Sequence, residues 1–304
     1  MDKEMIAWIV FTVIALSLVI LDLVLHRKPE HIPVKRALLE TAIWVAAALG
    51  YGAFIFVLLG SDMGMAFITG YIMEESLSID NLFVFIVIFS MFAIPDEYQH
   101  KALFYGIFGA VIFRLIFMLI GVQLMQFHFV MYIFGILLAY AAFKTMFAKD
   151  KEEEHSKIAV FLSKHIRSSP TLDSDKLFTR IDGKLVATPL LICILVIEFS
   201  DVIFALDSVP AVLAVSSHLL IVYSSNIFAI LGLRSLYFAI KGGLGSLRFL
   251  KYGLGIILMF IAAKLLLVDV IEVPISVSLA FIVVTLLITI VASIVWKEPR
   301  SEPK

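Results

Sequence analysis

Residues 198–210 read EFSDVIFALDSVP, and this stretch decides the fold. It lies inside a run from Leu185 to Val215 that is otherwise apolar enough to cross a bilayer. Its acids Glu198, Asp201 and Asp207 fall near mid-depth, where each ionised carboxylate costs about 2.5–3.5 kcal/mol on the insertion scale. That cost is sustained only where the acids face a wet cavity, a cation or a basic partner, or carry protons. A second stretch repeats the pattern: Glu74, Glu75 and Asp80 interrupt the apolar run from Met65 to Ala93. Two acidic interruptions in two hydrophobic helices point to a cation path.

The rest of the chain fits such a path. Its 304 residues are 62% hydrophobic and 16% charged, with a mean hydropathy of +1.04. That composition indicates an all-α, polytopic integral membrane protein in a lipid bilayer. A net charge of −1, with no Lys/Arg cluster among aromatics, gives no surface for nucleic acid. The single Cys193 cannot form an intrachain disulfide and reads as a small buried hydrophobe. The seven histidines fall in loops or at span ends. With no nucleophile–base pair, HExxH or phosphate-binding loop, neither an enzyme nor a bound cofactor is expected.

Apolar windows fall at 5–25, 37–59, 65–93, 101–123, 128–147, 187–215, 222–241, 250–268 and 275–296, about nine spans. Loops taken alternately put 20 of the 24 basic residues on one side and only Lys3 on the other; Arg114, Arg234 and Lys264 lie within spans. The positive-inside rule then places the N-terminus outside and the C-terminus in the cytoplasm. Residues 148–186 form the one sizeable hydrophilic segment, a cytoplasmic linker. It contains an amphipathic stretch over 156–166 and an Asp182-Gly183 pair that predicts a tight hairpin.

An offset of 120 residues superposes spans four and five on seven and eight. Phe108 falls on Phe228, Arg114 on Arg234, Tyr132 on Tyr252, Gly135 on Gly255 and Lys144 on Lys264. Seven further residues of slip bring span three onto span six, Glu74 onto Asp201 and Asp80 onto Asp207; another register sets Glu75 on Glu198. Each unit holds three spans, so consecutive copies enter the membrane from opposite sides, the inverted repeat of secondary transporters. The expected divisions are 1–64 (two accessory spans), 65–147, the linker 148–186, 187–268, and a final span with its tail, 269–304.

Residues six apart lie about 120° apart around a helix. Glu74 and Asp80 therefore share an ion only if the helix bends or unwinds between them. Pro210, which frees the Leu206 carbonyl, predicts a break in span six; Ser76, Ser78 and Asn81 only weaken span three. The candidate metal ligands are Glu74, Asp80, Asp201 and Asp207, with Glu75, Ser78, Asn81, Glu198, Leu206 and Ser208 secondary. Oxygen-only donors suit Mg²⁺, Ca²⁺ and Mn²⁺, and Met73 beside Glu74 adds a soft donor that favours Mn²⁺. Arg114 and Arg234 are the charge partners, pairing with the acids or competing with the ion.

Four segments carry a resemblance to a known family: EESLSIDN (74–81), LFTRIDGKLVATPL (177–190), EFSDVIFALDSVPAV (198–212) and FAILGLRSLYF (228–238). In this order they resemble the TerC/Alx family of bacterial membrane proteins, and the layout is similar to the Alx-type branch. The resemblance implies the fold of LysE-like transporters and export of manganese across the inner membrane, with a link to tellurite resistance. It carries the family's membrane acids onto Glu74, Asp80, Asp201 and Asp207. A scaffold that moves no ion, its acids purely structural, is the rival expectation.

Overall fold

The computed structural model describes residues 2–25, 32–147, 166, 168–181, 183–242, 249–271 and 273–296. Within those ranges the side chains of 22–25, 80, 83, 128, 206, 207, 242 and 294 lie outside the description. The described residues form α1 (Lys3–Leu25), α2 (Val34–Leu59), α3 (Ser61–Met91), α4 (Asp96–Leu124) and α5 (His128–Phe147). A hairpin, β1 (Phe178–Ile181) and β2 (Lys184–Ala187), follows. The chain then continues as α6 (Pro189–Leu213), α7 (Leu219–Gly242), α8 (Leu250–Leu266) and α9 (Ile275–Val295).

Seven of these helices, α1, α2, α4, α5, α6, α7 and α9, are long and apolar enough to cross a membrane. The chain is therefore a helical, multi-pass membrane protein. Two expected spans fall short of that measure for different reasons. Helix α3, at 31 residues, is long enough but carries Glu74, Glu75 and Asp80. Helix α8 is apolar but has only 17 residues.

Burial sorts the bundle. Helix α7 is buried over most of its length, whereas α1 and α9 present apolar side chains outward, as lipid-facing helices do. Around α7, α3 packs on α7 and α4 packs on α6, while α5 packs on α8. Smaller contacts join α4 to α7 and α3 to α6, α5 to α6 and α3 to α8. Helix α2 covers α7 and α3, and α9 covers α3 and α8. An aromatic cluster pins α1 and α2 to this core: Tyr51 contacts Phe67 and Phe228, Phe11 contacts Tyr51 and Phe228, and Tyr51 Oη donates to the Ala7 carbonyl at 3.0 Å.

Local chemistry sets the turns. Gly60, at φ +104°, is the single residue between α2 and α3, a conformation that glycine adopts without steric cost. The expected hairpin is present: Ile181 pairs with Lys184, and Gly183 takes φ +76°. It is anchored at both ends. Lys101 Nζ, in α4, donates to the Asp175 carbonyl at 2.6 Å and its carboxylate at 2.8 Å. Thr188 caps α6 by accepting from Leu191 N–H and donates to the Lys176 carbonyl at 2.7 Å, with Pro189 opening the helix. The amphipathic stretch over 156–166 lies almost wholly outside the described residues.

One expectation is overturned. Neither α3 nor α6 is interrupted; both run as continuous helices through their acids, and Pro210 sits inside α6. Pro210 removes one backbone donor, and α6 resumes at once, with Ala214 N–H reaching the Pro210 carbonyl at 3.0 Å. Packing against α4 on one side and α3 on the other holds the helix through that point.

Candidate ion-binding site

Continuous helices make it unfavourable for two acids of one helix to share an ion. The structure brings acids together from different helices instead. Arg114, in the middle of α4, donates through Nη1 to Glu74 Oε1 of α3. It also clamps Asp201 of α6 in two-pronged fashion, Nη2 to Oδ1 at 3.0 Å and Nε to Oδ2 at 3.3 Å. Ser208 Oγ lies 3.4 Å from Nη1. Arg114 and Glu74 are fully buried and Asp201 is 4% exposed. Glu74 and Asp201 are the acids paired by the internal offset, and one guanidinium spans them.

The charge balance is uneven. Two carboxylates face one guanidinium, and Glu74 Oε2 has no hydrogen-bond partner among the described residues. Ser78 Oγ, one turn further along α3 and fully buried, has none either. Oxygens left bare in an apolar bundle are costly. A cation entering beside Glu74 would offset that cost.

Gly109 and Glu198 add a second feature. A Cβ on Gly109 would lie 2.1–2.3 Å from the Glu198 carboxylate, so only glycine lets that acid lie against α4. Gly106 opens the same contact to Ile197. Glu198 Oε2 and Glu75 Oε2 also lack partners among the described residues.

Other predicted positions distribute as follows. Asn81 and Ser208 are buried, and Met73 is buried beside Glu74. The side chains of Asp80, Leu206 and Asp207 lie outside the described residues. Arg234, 2% exposed, borders an aromatic cleft of about 350 Å³ with Trp8, Phe104, Phe108 and Tyr223. Among the described residues no three His, Cys, Asp or Glu side chains converge as a preformed metal cage. Glu74 and Asp201 are held apart by the Arg114 guanidinium between them.

The model of the integral membrane protein TerC family matches residues 59–301. The chain belongs to the TerC family. The matched span holds α3 to α9 and every residue of the Arg114 cluster. An uncharacterised membrane protein of Myxococcus xanthus is 41% identical over 292 residues, covering 95% of this chain and 92% of the relative. The Alx protein of Escherichia coli strain K12, named for a proposed role as a membrane-bound redox modulator, is 38% identical over 308 residues, 97% of this chain and 96% of its own. An uncharacterised membrane protein of Rickettsia bellii is 36% identical over 295 residues, 96% of this chain and 98% of the relative. No solved structure matches the chain.

Missing from the sequence reading is Asn226. It lies in the polar triplet Ser224-Ser225-Asn226 of α7, and the chain holds only one other asparagine, Asn81. That scarcity within an apolar helix is a signal the sequence carries.

Proposed function

We propose that this TerC-family protein exports a divalent cation, with Mn²⁺ as the cargo, across the bacterial inner membrane. The carrying observation is the Arg114 guanidinium held jointly by Glu74 of α3 and Asp201 of α6. A resident cation bridges two acids in the bundle core, and a metal ion of equal or higher charge can take its place. Asp80 and Asp207 lie six residues on from each acid, about 120° around the same continuous helix, so they join the Glu74–Asp201 pair only when α3 and α6 unwind during transport. Ser78, Asn81 and Ser208 supply neutral oxygens.

Alternating access is the working mode. The two inverted units are α3–α5 and α6–α8, and α3 and α8 complete the nine spans. The pattern of helix contacts supports this: exchanging α3 with α6, α4 with α7 and α5 with α8 carries the α3–α7 contact onto α4–α6 and the α5–α6 contact onto α3–α8. Loop charge favours an outside N-terminus and a cytoplasmic C-terminus. In the exchange step Arg114 releases the acids as the ion arrives and returns to them as it leaves. The bare acids are therefore never left facing each other across the bundle without a counter-charge. Protons returning onto the carboxylates are the natural coupling.

A scaffold that helps to assemble other membrane proteins is the second reading, favoured by one observation: Arg114 ties three helices together, which is also what a structural ion pair does. Cells decide between them. With the protein at normal levels, Asp201→Ala and Asp207→Ala should make cells hypersensitive to Mn²⁺ and raise their manganese content. Wild-type manganese content in both would leave the scaffold reading in possession.

A further inference from the structure

We infer that Asn226 of α7 is a further ion-contacting residue, presenting its amide oxygen to the transported divalent cation beside Glu74 and Asp201. The inference rests on the transport reading above and adds a fourth helix to the site.

Asn226 is fully buried, and neither its Oδ1 nor its Nδ2 has a hydrogen-bond partner among the described residues. Its neighbours are satisfied locally: Ser224 Oγ donates to the Leu220 carbonyl at 2.6 Å and Ser225 Oγ to the Val222 carbonyl at 3.1 Å. A primary amide carries two donors and an acceptor, and burying all of them bare is among the costlier choices in a core. Leucine would fill the same volume without that penalty. A buried asparagine with no partner among the described residues is accounted for by a ligand that is not protein.

The face it occupies narrows what that ligand is. Around α7, Phe228 and Gly232 meet α2, and Ser225 meets Gly70 of α3. Tyr223, Ile227, Leu231 and Arg234 border the aromatic cleft. Asn226 belongs to neither set; it shares its side of the helix with Leu233 and Tyr237, seven and eleven residues on. Tyr237 touches both neighbouring helices, its ring against Phe89 of α3 and its hydroxyl donating to Gln99 of α4 at 2.8 Å. The face of Asn226 therefore looks between α3 and α4, where Arg114 of α4 reaches Glu74 of α3.

Depth agrees with direction. The end of α7 lies at the start of α4, so the two run antiparallel. Eleven residues from the Gln99–Tyr237 contact, Ala110 is level with Asn226. Helices α4 and α6 run parallel, with Gly106 at Ile197 and Gly121 at Leu213, which sets Asp201 close to the level of Ala110. On α3, Gly70 touches Ser225, and Glu74 is one turn away. Asn226, Glu74 and Asp201 thus lie within about one helical turn of one another in depth, around one groove. An amide oxygen is a neutral hard donor of the kind that Mn²⁺, Mg²⁺ and Ca²⁺ accept. It adds a ligand without adding charge, and once Arg114 swings off the acids it is there to replace a contact.

The test uses the full-length protein in lipid nanodiscs, titrated with MnCl₂ by calorimetry, with the metal-free unfolding midpoint measured in parallel. Asn226→Leu and the smaller Asn226→Ala should each weaken Mn²⁺ binding by at least about ten-fold. Asn226→Leu should keep or raise the metal-free midpoint, because it removes an unsatisfied amide. Asn226→Asp should retain binding. Wild-type affinity in folded Asn226→Leu and Asn226→Ala overturns the inference. Asp201→Asn separates the two levels of the account. If it abolishes binding while both Asn226 variants bind normally, only the role of Asn226 falls. If the wild-type protein binds no Mn²⁺, both fall.

Discussion

Gly135 and Gly255 face each other's helices through matching neighbours. A Cβ on Gly135 of α5 would lie 2.7 Å from Leu266 Cγ and 3.3 Å from the Ala262 carbonyl of α8. A Cβ on Gly255 of α8 would lie 2.2 Å from Met146 Cγ and 3.2 Å from the Ala142 carbonyl of α5. All three pairs, Gly135/Gly255, Ala142/Ala262 and Met146/Leu266, are 120 residues apart. The offset seen in the sequence is thus repeated as packing, with each glycine admitting the partner backbone.

Matched positions should respond alike. Gly135→Ala and Gly255→Ala each force a methyl group against a backbone carbonyl and a side chain, so each should destabilise the protein by about 1–3 kcal/mol. Thermal unfolding in detergent measures both. A loss at one position with none at the other would contradict the pseudo-symmetric contact.

Arg114→Gln removes the cation from a buried pair of acids. Breaking such a pair costs about 3–5 kcal/mol, so the metal-free midpoint should fall sharply. Added Mn²⁺ should restore more stability to Arg114→Gln than to the wild type, since the ion no longer competes with a guanidinium. Equal Mn²⁺ shifts in both proteins would mean that ion and guanidinium do not share the site.

The Gly109–Glu198 contact predicts a substitution effect at a residue that has no side chain. Gly109→Ala should displace the Glu198 carboxylate and impair Mn²⁺ export in cells. Glu198→Ala in the same chain should recover the lost stability but not the export. Full export by Gly109→Ala would show that the acid does not need its seat on α4.

Outside the membrane, Lys101 beside Asp175 holds that carboxyl below the usual carboxylate range. A depressed carboxyl contributes stability above its unfolded pKa, and that contribution is lost as pH falls through the folded value. The hairpin should therefore stay docked across the neutral range and loosen only in acid. Asp175→Asn should increase protease cleavage around 168–188 at pH 7. The pair is partly exposed, so the effect should shrink in high salt. Salt-independent cleavage would rule out the ion pair as the tether.

Apolar runs are read easily along the chain, and each of the nine windows overlaps a helix among the described residues. Their starts are not. Helix α4 begins at Asp96 and α3 at Ser61, ahead of the apolar windows, because Asp96, Glu97, Ser61 and Asp62 make polar first turns that hydropathy passes over. The hairpin was legible because Asp182-Gly183 has a defined turn chemistry. The continuity of α6 through Pro210 is not legible in the same way, because the loss of one hydrogen bond competes with packing on two sides, which no local pattern reports. Glu74 and Asp201 were visible as a pair by offset, but their meeting point on Arg114 depends on how α3, α4 and α6 cross. That the Asn226 amide finds no partner among the described residues is likewise a property of packing. Sequence marks it only as a rare polar residue in an apolar helix.

The central claim is that ions pass through the Glu74–Asp201 groove, and flux measures it directly. Purified protein reconstituted in liposomes, with internal Mn²⁺ followed by a fluorescent indicator, should carry Mn²⁺ down an imposed gradient faster than protein-free liposomes. Glu74→Gln and Asp201→Asn should abolish that flux while remaining folded. Liposomes holding the wild-type protein that admit no more Mn²⁺ than empty ones, or folded variants that carry it as well as the wild type, would contradict the account.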